Sequence, residues 1–144
     1  MSKKIIKGDV DLSNLYLKQL PVGLLNDVHV GGDFFCYDNK LTSLSGTPDS
    51  VGGHFYCFNN NLTSLTGAPS SVGGNFYCNN NKLTSLEGAP SSVGGNFFCH
   101  NNKLTSLEGA PKTVGGDFWC HNNAVKFTEA QVRAVCKVEG TVYV

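Results

Sequence analysis

The feature that most constrains this chain is a period. Cysteines stand at Cys36, Cys57, Cys78, Cys99 and Cys120, each 21 residues after the last, and the segments around them align without a gap. They read VGGDFFCYDNKLTSLSGTPDS from Val30, VGGHFYCFNNNLTSLTGAPSS from Val51, VGGNFYCNNNKLTSLEGAPSS from Val72, VGGNFFCHNNKLTSLEGAPKT from Val93 and VGGDFWCHNNAV from Val114. A fixed period of this length is the mark of a solenoid, in which each repeat is one coil. A lone repeat has an apolar face and nothing to bury it against, so stability belongs to the array and to whatever closes its ends.

Each copy keeps one apolar set. In the third it is Val72, Phe76, Cys78, Leu83 and Leu86, with Asn81 between Cys78 and Leu83. From Phe76 onward these positions reproduce the spacing LxLxxNxLxxL, with Phe and Cys in two of the Leu places. On those residues the chain resembles leucine-rich-repeat proteins, and it is especially similar to short Cys- and Asn-rich repeat proteins of tailed bacteriophages. It is also similar to the short repeats of bacterial effector proteins, which share a Pro-x-x-Leu start like Pro69 to Val72. The likeness covers about residues 10 to 127.

The resemblance implies a mostly β, right-handed, leucine-rich-repeat-like solenoid with a parallel sheet. It also implies a structural role for Asn39, Asn60, Asn81, Asn102 and Asn123, whose side-chain amides would bond backbone groups inside the turn. Strands are expected at about 34–37, 55–58, 76–79, 97–100 and 118–121. The chain departs from the family pattern in the Gly-Gly pair and extra residue between the leading Val and the Phe, which predict a wider turn before each strand. The TSLEGAPSS stretch is too short and too rich in Gly and Pro for a convex helix, so the solenoid should be thin and mildly curved.

The ends are less regular. Residues 1–29 are expected to form an amino-terminal cap, with Val10, Leu12, Leu17 and Leu20 in the repeat register and Leu15 where the Asn would stand. The five repeats, the last incomplete, fill 30–126, and 127–144 form a carboxy-terminal cap, all within one domain. Thr128 and Gln131 have capping-box spacing, and Phe127 with Val132 has that of the flanking hydrophobic staple. A helix from about Glu129 to Cys136 should bury Val132, Val135 and Cys136, and 141–144 should add an edge strand.

Charge and cysteine usage narrow the function. Lys plus Arg and Asp plus Glu number 11 each, so no net field draws the chain to nucleic acid or to an anionic membrane. The amino-terminal MSKKIIKGDV lacks the apolar run of a signal peptide or membrane span. The expectation is a cytoplasmic protein, in the host cytosol if phage-encoded. Cys36, Cys57, Cys78, Cys99 and Cys120 occupy an inward column, where parallel neighbours run side by side rather than converging for disulfides. They read as small buried hydrophobes. Their spacing lacks the close pairing of zinc modules, so neither a metal nor a cofactor is expected.

Alternation along a strand puts the residues between the inward Phe and Cys outside. That outward column is Phe35, Tyr56, Tyr77, Phe98 and Trp119, and the next runs Tyr37, Phe58, Asn79, His100 and His121. The aromatic members with His100 and His121 are the candidate binding residues. An aromatic spine with polar flanks fits a protein-binding face, and it also fits a cross-strand ladder that only stabilises the sheet. A small-ligand or single-stranded nucleic-acid platform is the alternative, weakened for nucleic acid by the scarcity of Lys and Arg on the face. A purely structural or self-assembling role stays open. His100, His121 and Asp117 could in principle trade protons, but no nucleophile stands beside them, and catalysis is not expected.

Overall fold

Each repeat folds as one coil with two very short strands, because its apolar residues mark two buried lines rather than one. The computed structural model describes residues 3–144. In chain order the strands are β1 (Lys4–Ile6), β2 (Val10–Asp11), β3 (Val28–Val30), β4 (Phe34–Phe35), β5 (Ser50–Val51), β6 (Phe55–Tyr56) and β7 (Ser71–Val72). There follow β8 (Phe76–Tyr77), β9 (Ser92–Val93), β10 (Phe97–Phe98), β11 (Thr113–Val114), β12 (Phe118–Trp119), helix α1 (Glu129–Val135), β13 (Lys137–Val138) and β14 (Val142–Tyr143). Odd-numbered strands make one 7-stranded parallel sheet and even-numbered strands another, so the chain is a β-solenoid of about seven coils.

The even-strand sheet sits where the repeat spacing puts it, in strict register: Phe34 pairs with Phe55, Phe55 with Phe76 and Phe76 with Phe97. Its strands are two residues long, shorter than the expected four. Single ladder bonds carry the pairing further, as from Cys57 N–H to the Tyr77 carbonyl at 2.9 Å, before Asp38, Asn59, Asn80, Asn101 and Asn122 turn the chain at φ of 53–56°. That left-handed region suits Asn and Asp.

The odd-strand sheet is the addition to the expected fold. The leading Val of each repeat lies in a strand of its own, and the Gly-Gly pair is the corner between the two sheets. Successive corners touch: a methyl on Gly52 would lie 2.8 Å from the Gly31 carbonyl oxygen, and one on Gly73 would overlap that of Gly52. The glycines are needed for this approach of backbone to backbone.

Between the sheets, Phe34, Phe55, Phe76, Phe97 and Phe118 stack at 5.1–5.5 Å and are fully buried. Leu41, Leu62, Leu83 and Leu104, with Leu44, Leu65, Leu86 and Leu107, close the third side. The expected amino-terminal cap is a coil in its own right: β1 pairs with β3 and β2 with β4, Val10 standing opposite Phe34.

At the other end α1 replaces the Leu side of the last coil. Thr128 accepts from Gln131 N–H while the Gln131 side chain accepts from Thr128 N–H, the expected capping box. Val132 and Cys136 are buried as expected, but Val135 is half exposed, because a helix this short turns only one narrow stripe inward. The expected edge strand is β14, paired with β12; β13, which joins the odd-strand sheet, was not expected. Among the described residues no helix is long and apolar enough to cross a membrane.

Candidate functional site

The outward column of the even-strand sheet is a continuous stack of rings. Phe35, Tyr56, Tyr77 and Phe98 lie 4.6–4.8 Å apart and within 8° of parallel. Trp119 follows at 5.8 Å, and Tyr143 extends the stack at 3.8 Å from Trp119. In-register parallel strands about 4.8 Å apart dictate this spacing. Sequence reasoning missed Tyr143, since β14 comes from the cap and lies outside the 21-residue register.

The second column divides. Tyr37 and Phe58 stack at 4.7 Å and meet Tyr56 edge-on, at 6.3 and 6.4 Å. Further along, Asn79 interrupts the rings, and His100 and His121 then stack at 4.6 Å beside Phe98 and Trp119. One half of the face is thus an aromatic double row, and in the other the ring stack is flanked by Asn79, His100 and His121. Burial, and then the imidazole of His121, hold His100 below the ordinary histidine range. Among the described residues three buried side-chain polar atoms lack a hydrogen-bond partner: Asn79 Oδ1, His100 Nδ1 and Trp119 Nε1. All three belong to this face.

The third outward column is committed to the fold. Asp33 N–H donates to Asp9 Oδ1, His54 N–H to Asp33 Oδ1, Asn75 N–H to His54 Nδ1, Asn96 N–H to Asn75 Oδ1 and Asp117 N–H to Asn96 Oδ1, at 2.7–2.8 Å. Asp117 Oδ1 ends the chain by accepting from Thr141 N–H. The Asp117 carboxylate is therefore engaged by backbone rather than by His121. The signal for this ladder was a column restricted to Asp, Asn and His, side chains that each carry an acceptor at the same distance from the backbone.

The inward columns are structural in geometry. Cys36, Cys57, Cys78, Cys99, Cys120 and Cys136 are all buried and unbridged. Burial pushes their thiols up, Cys120 and Cys136 to about 11. The Asn amides bond across coils: Asn81 Nδ2 donates to the Cys57 and Cys78 carbonyls at 3.1 Å, and its Oδ1 accepts from Leu62 N–H at 3.1 Å. Asn60, Asn102 and Asn123 repeat the pattern, and Asn39 reaches Leu12, Leu15 and Leu17 of the first coil. One concavity of about 350 Å³ opens at the margin of the aromatic face, beside His121 and Phe127, and one of about 480 Å³ runs along the Gly corners of the odd-strand sheet.

Fold and face together define a class, a repeat β-solenoid that presents an ordered aromatic surface. No family model, curated protein or solved structure matches the chain.

Proposed function

We propose that this is a non-catalytic protein-binding module that engages its partner with the aromatic face of the even-strand sheet. The observation that carries the reading is the union, on one face, of a continuous, partly buried double row of rings with the polar side chains Asn79, His100 and His121. The mixture of aromatic anchors and hydrogen-bonding groups has the composition of an interface hot spot. The face is also a flat array of in-register strands, which suits another protein's surface better than an enclosed small ligand.

The parallel ring stack weighs against a nucleic-acid platform. At 4.6–4.8 Å the π-faces of Phe35, Tyr56, Tyr77 and Phe98 cover one another, and only their rims face outward. Bases would need those faces to stack. The likeness to phage repeat proteins adds a setting: a phage-encoded protein in the host cytosol, directed at a host or defence protein.

The test replaces Tyr56, Tyr77 and Phe98 together by Ser. Partners captured from host extract by the native protein should be lost by this variant and kept by one with Glu87 and Glu108, both exposed and on another side, changed to Ala. Losing stacked pairs worth about 0.5–1.5 kcal/mol each should lower the melting transition without preventing folding. Full retention of partners by the folded triple variant would reduce the face to a stabilising ladder.

A further inference from the structure

The two ends of the solenoid are finished differently. At the carboxy-terminal end Arg133, held by Glu129 at 3.0 Å, donates to the Val138 carbonyl at 2.7 Å and to the Gly140 carbonyl at 2.9 Å. These acceptors belong to β13 and the corner after it, and α1 packs against β13 and β14 beside them. Arg133 and α1 thus occupy part of the outer edge there.

The amino-terminal end has no such cover from the described residues. Lys4, Val10 and Leu12 donate their N–H groups to the second coil, and the Ile6 and Gly8 carbonyls accept from it. Backbone alternation turns the N–H and C=O groups of Ile5 in β1 and Asp11 in β2 the other way, off the end. The inward side chains Ile6, Val10, Leu12 and Leu17 are only partly buried, and Ile5 is 66 % exposed.

The order of residues around this edge is self-complementary. Gly8 is the corner between β1 and β2. A twofold axis through it, lying in the plane of the end, sets β1 of one copy antiparallel to β2 of another. Residues equally distant from Gly8 then face each other. The exposed Lys7 meets the exposed Asp9, and Ile5 meets Asp11, whose backbone groups both point off the end. Antiparallel strands exchange both bonds between such residues. Ile6 meets Val10 and Lys4 meets Leu12, all inward-facing positions of their sheets. Charge agrees with backbone: each Lys7 lies against an Asp9, twice by symmetry. Stacked head to tail, the same edge would meet an end that Arg133 and α1 partly occupy.

We infer that the occupant of the amino-terminal edge is a second copy of this chain, docked head to head about a twofold axis at Gly8. The contact is isologous and closes at two copies. Charged edge residues that deter random strand addition become paired in this one register, and the aromatic faces stay open.

Sedimentation over a wide concentration range tests this on the full chain, with an expected species of twice the chain mass. Lys7→Glu sets acid against acid, and Ile5→Pro removes a donor that faces away from the second coil. Each should weaken association about tenfold or more without disturbing the carboxy-terminal coils. Gly8→Cys, on the axis, should give a disulfide-linked dimer under mild oxidation, since the native thiols are buried. A native protein that stays monomeric throughout, growth into longer polymers, a dimer indifferent to Lys7→Glu, or a Gly8→Cys variant that does not cross-link would each overturn the inference. Lys7 is exposed, so its variant keeps the test valid if Ile5→Pro misfolds.

Discussion

A cysteine in this chain is a packing residue whose chemistry has been switched off by its column. Cys78 is fully buried, its Sγ donates to the Phe98 carbonyl at 3.2 Å, and burial raises its thiol. Thiol reagents should therefore label the native protein slowly and the unfolded chain fast, which a labelling time course with and without denaturant measures. The same burial sets a pH dependence. These thiols ionise in the unfolded chain near the ordinary thiol value of about 9 but not in the folded one, where Cys120 and Cys136 reach about 11 and the central column lies higher. Above pH about 9 the unfolded state thus binds fewer protons than the folded state, and stability falls as pH rises, by up to about 1.4 kcal/mol per pH unit for each thiol. Their contribution is intact below that pH. Urea midpoints at pH 7, 9 and 10 should fall in that order, and a flat profile would mean the thiols reach solvent.

Between coils, the smallest cooperative element is a ladder rung. In the rung from His54 to Asn75, Nδ1 of the ring accepts, so the ring proton sits on Nε2. His54→Ala leaves the part-buried Asn75 N–H without its acceptor and should destabilise the protein by about 1–3 kcal/mol. His54→Asn supplies the oxygen that Asn75 uses one coil later and should recover most of that loss in the same urea titration. Equal losses in both variants would show that the ring, which meets Tyr56 edge-on at 6.0 Å, matters for packing and not for its nitrogen. Sequence spacing gave the even-strand sheet and α1 because each rests on a local pattern: alternation about Phe76 and Cys78, and the Thr128 and Gln131 pair. It missed the odd-strand sheet because Ser71–Val72 is too short to show any alternation.

For the whole molecule, one coil is interchangeable with the next as long as the period is kept. Deleting residues 72–92, one full period, joins two coils of identical register and leaves both ends untouched. The shortened protein should fold with the same circular dichroism per residue, a lower unfolding midpoint and a denaturant m-value reduced by about a seventh, as one coil of seven is removed. Removing one residue fewer should prevent folding, since a one-residue slip sends each Phe and Cys to the wrong face. The sequence by itself determined that the chain is a coil of 21 residues, which column faces in, and where the closing helix starts, because these follow from periodicity and from contacts within a few residues. Only the tertiary structure decided that the Val positions form a second sheet, that Asp33, His54, Asn75, Asn96 and Asp117 are spent on the fold, that Tyr143 completes the aromatic stack, and that Arg133 and α1 lie against one end while Ile5 and Asp11 turn backbone groups off the other. Each of those depends on which N–H group of one coil faces which oxygen, nitrogen or ring of the next, a relation between residues a full coil apart that no local pattern encodes.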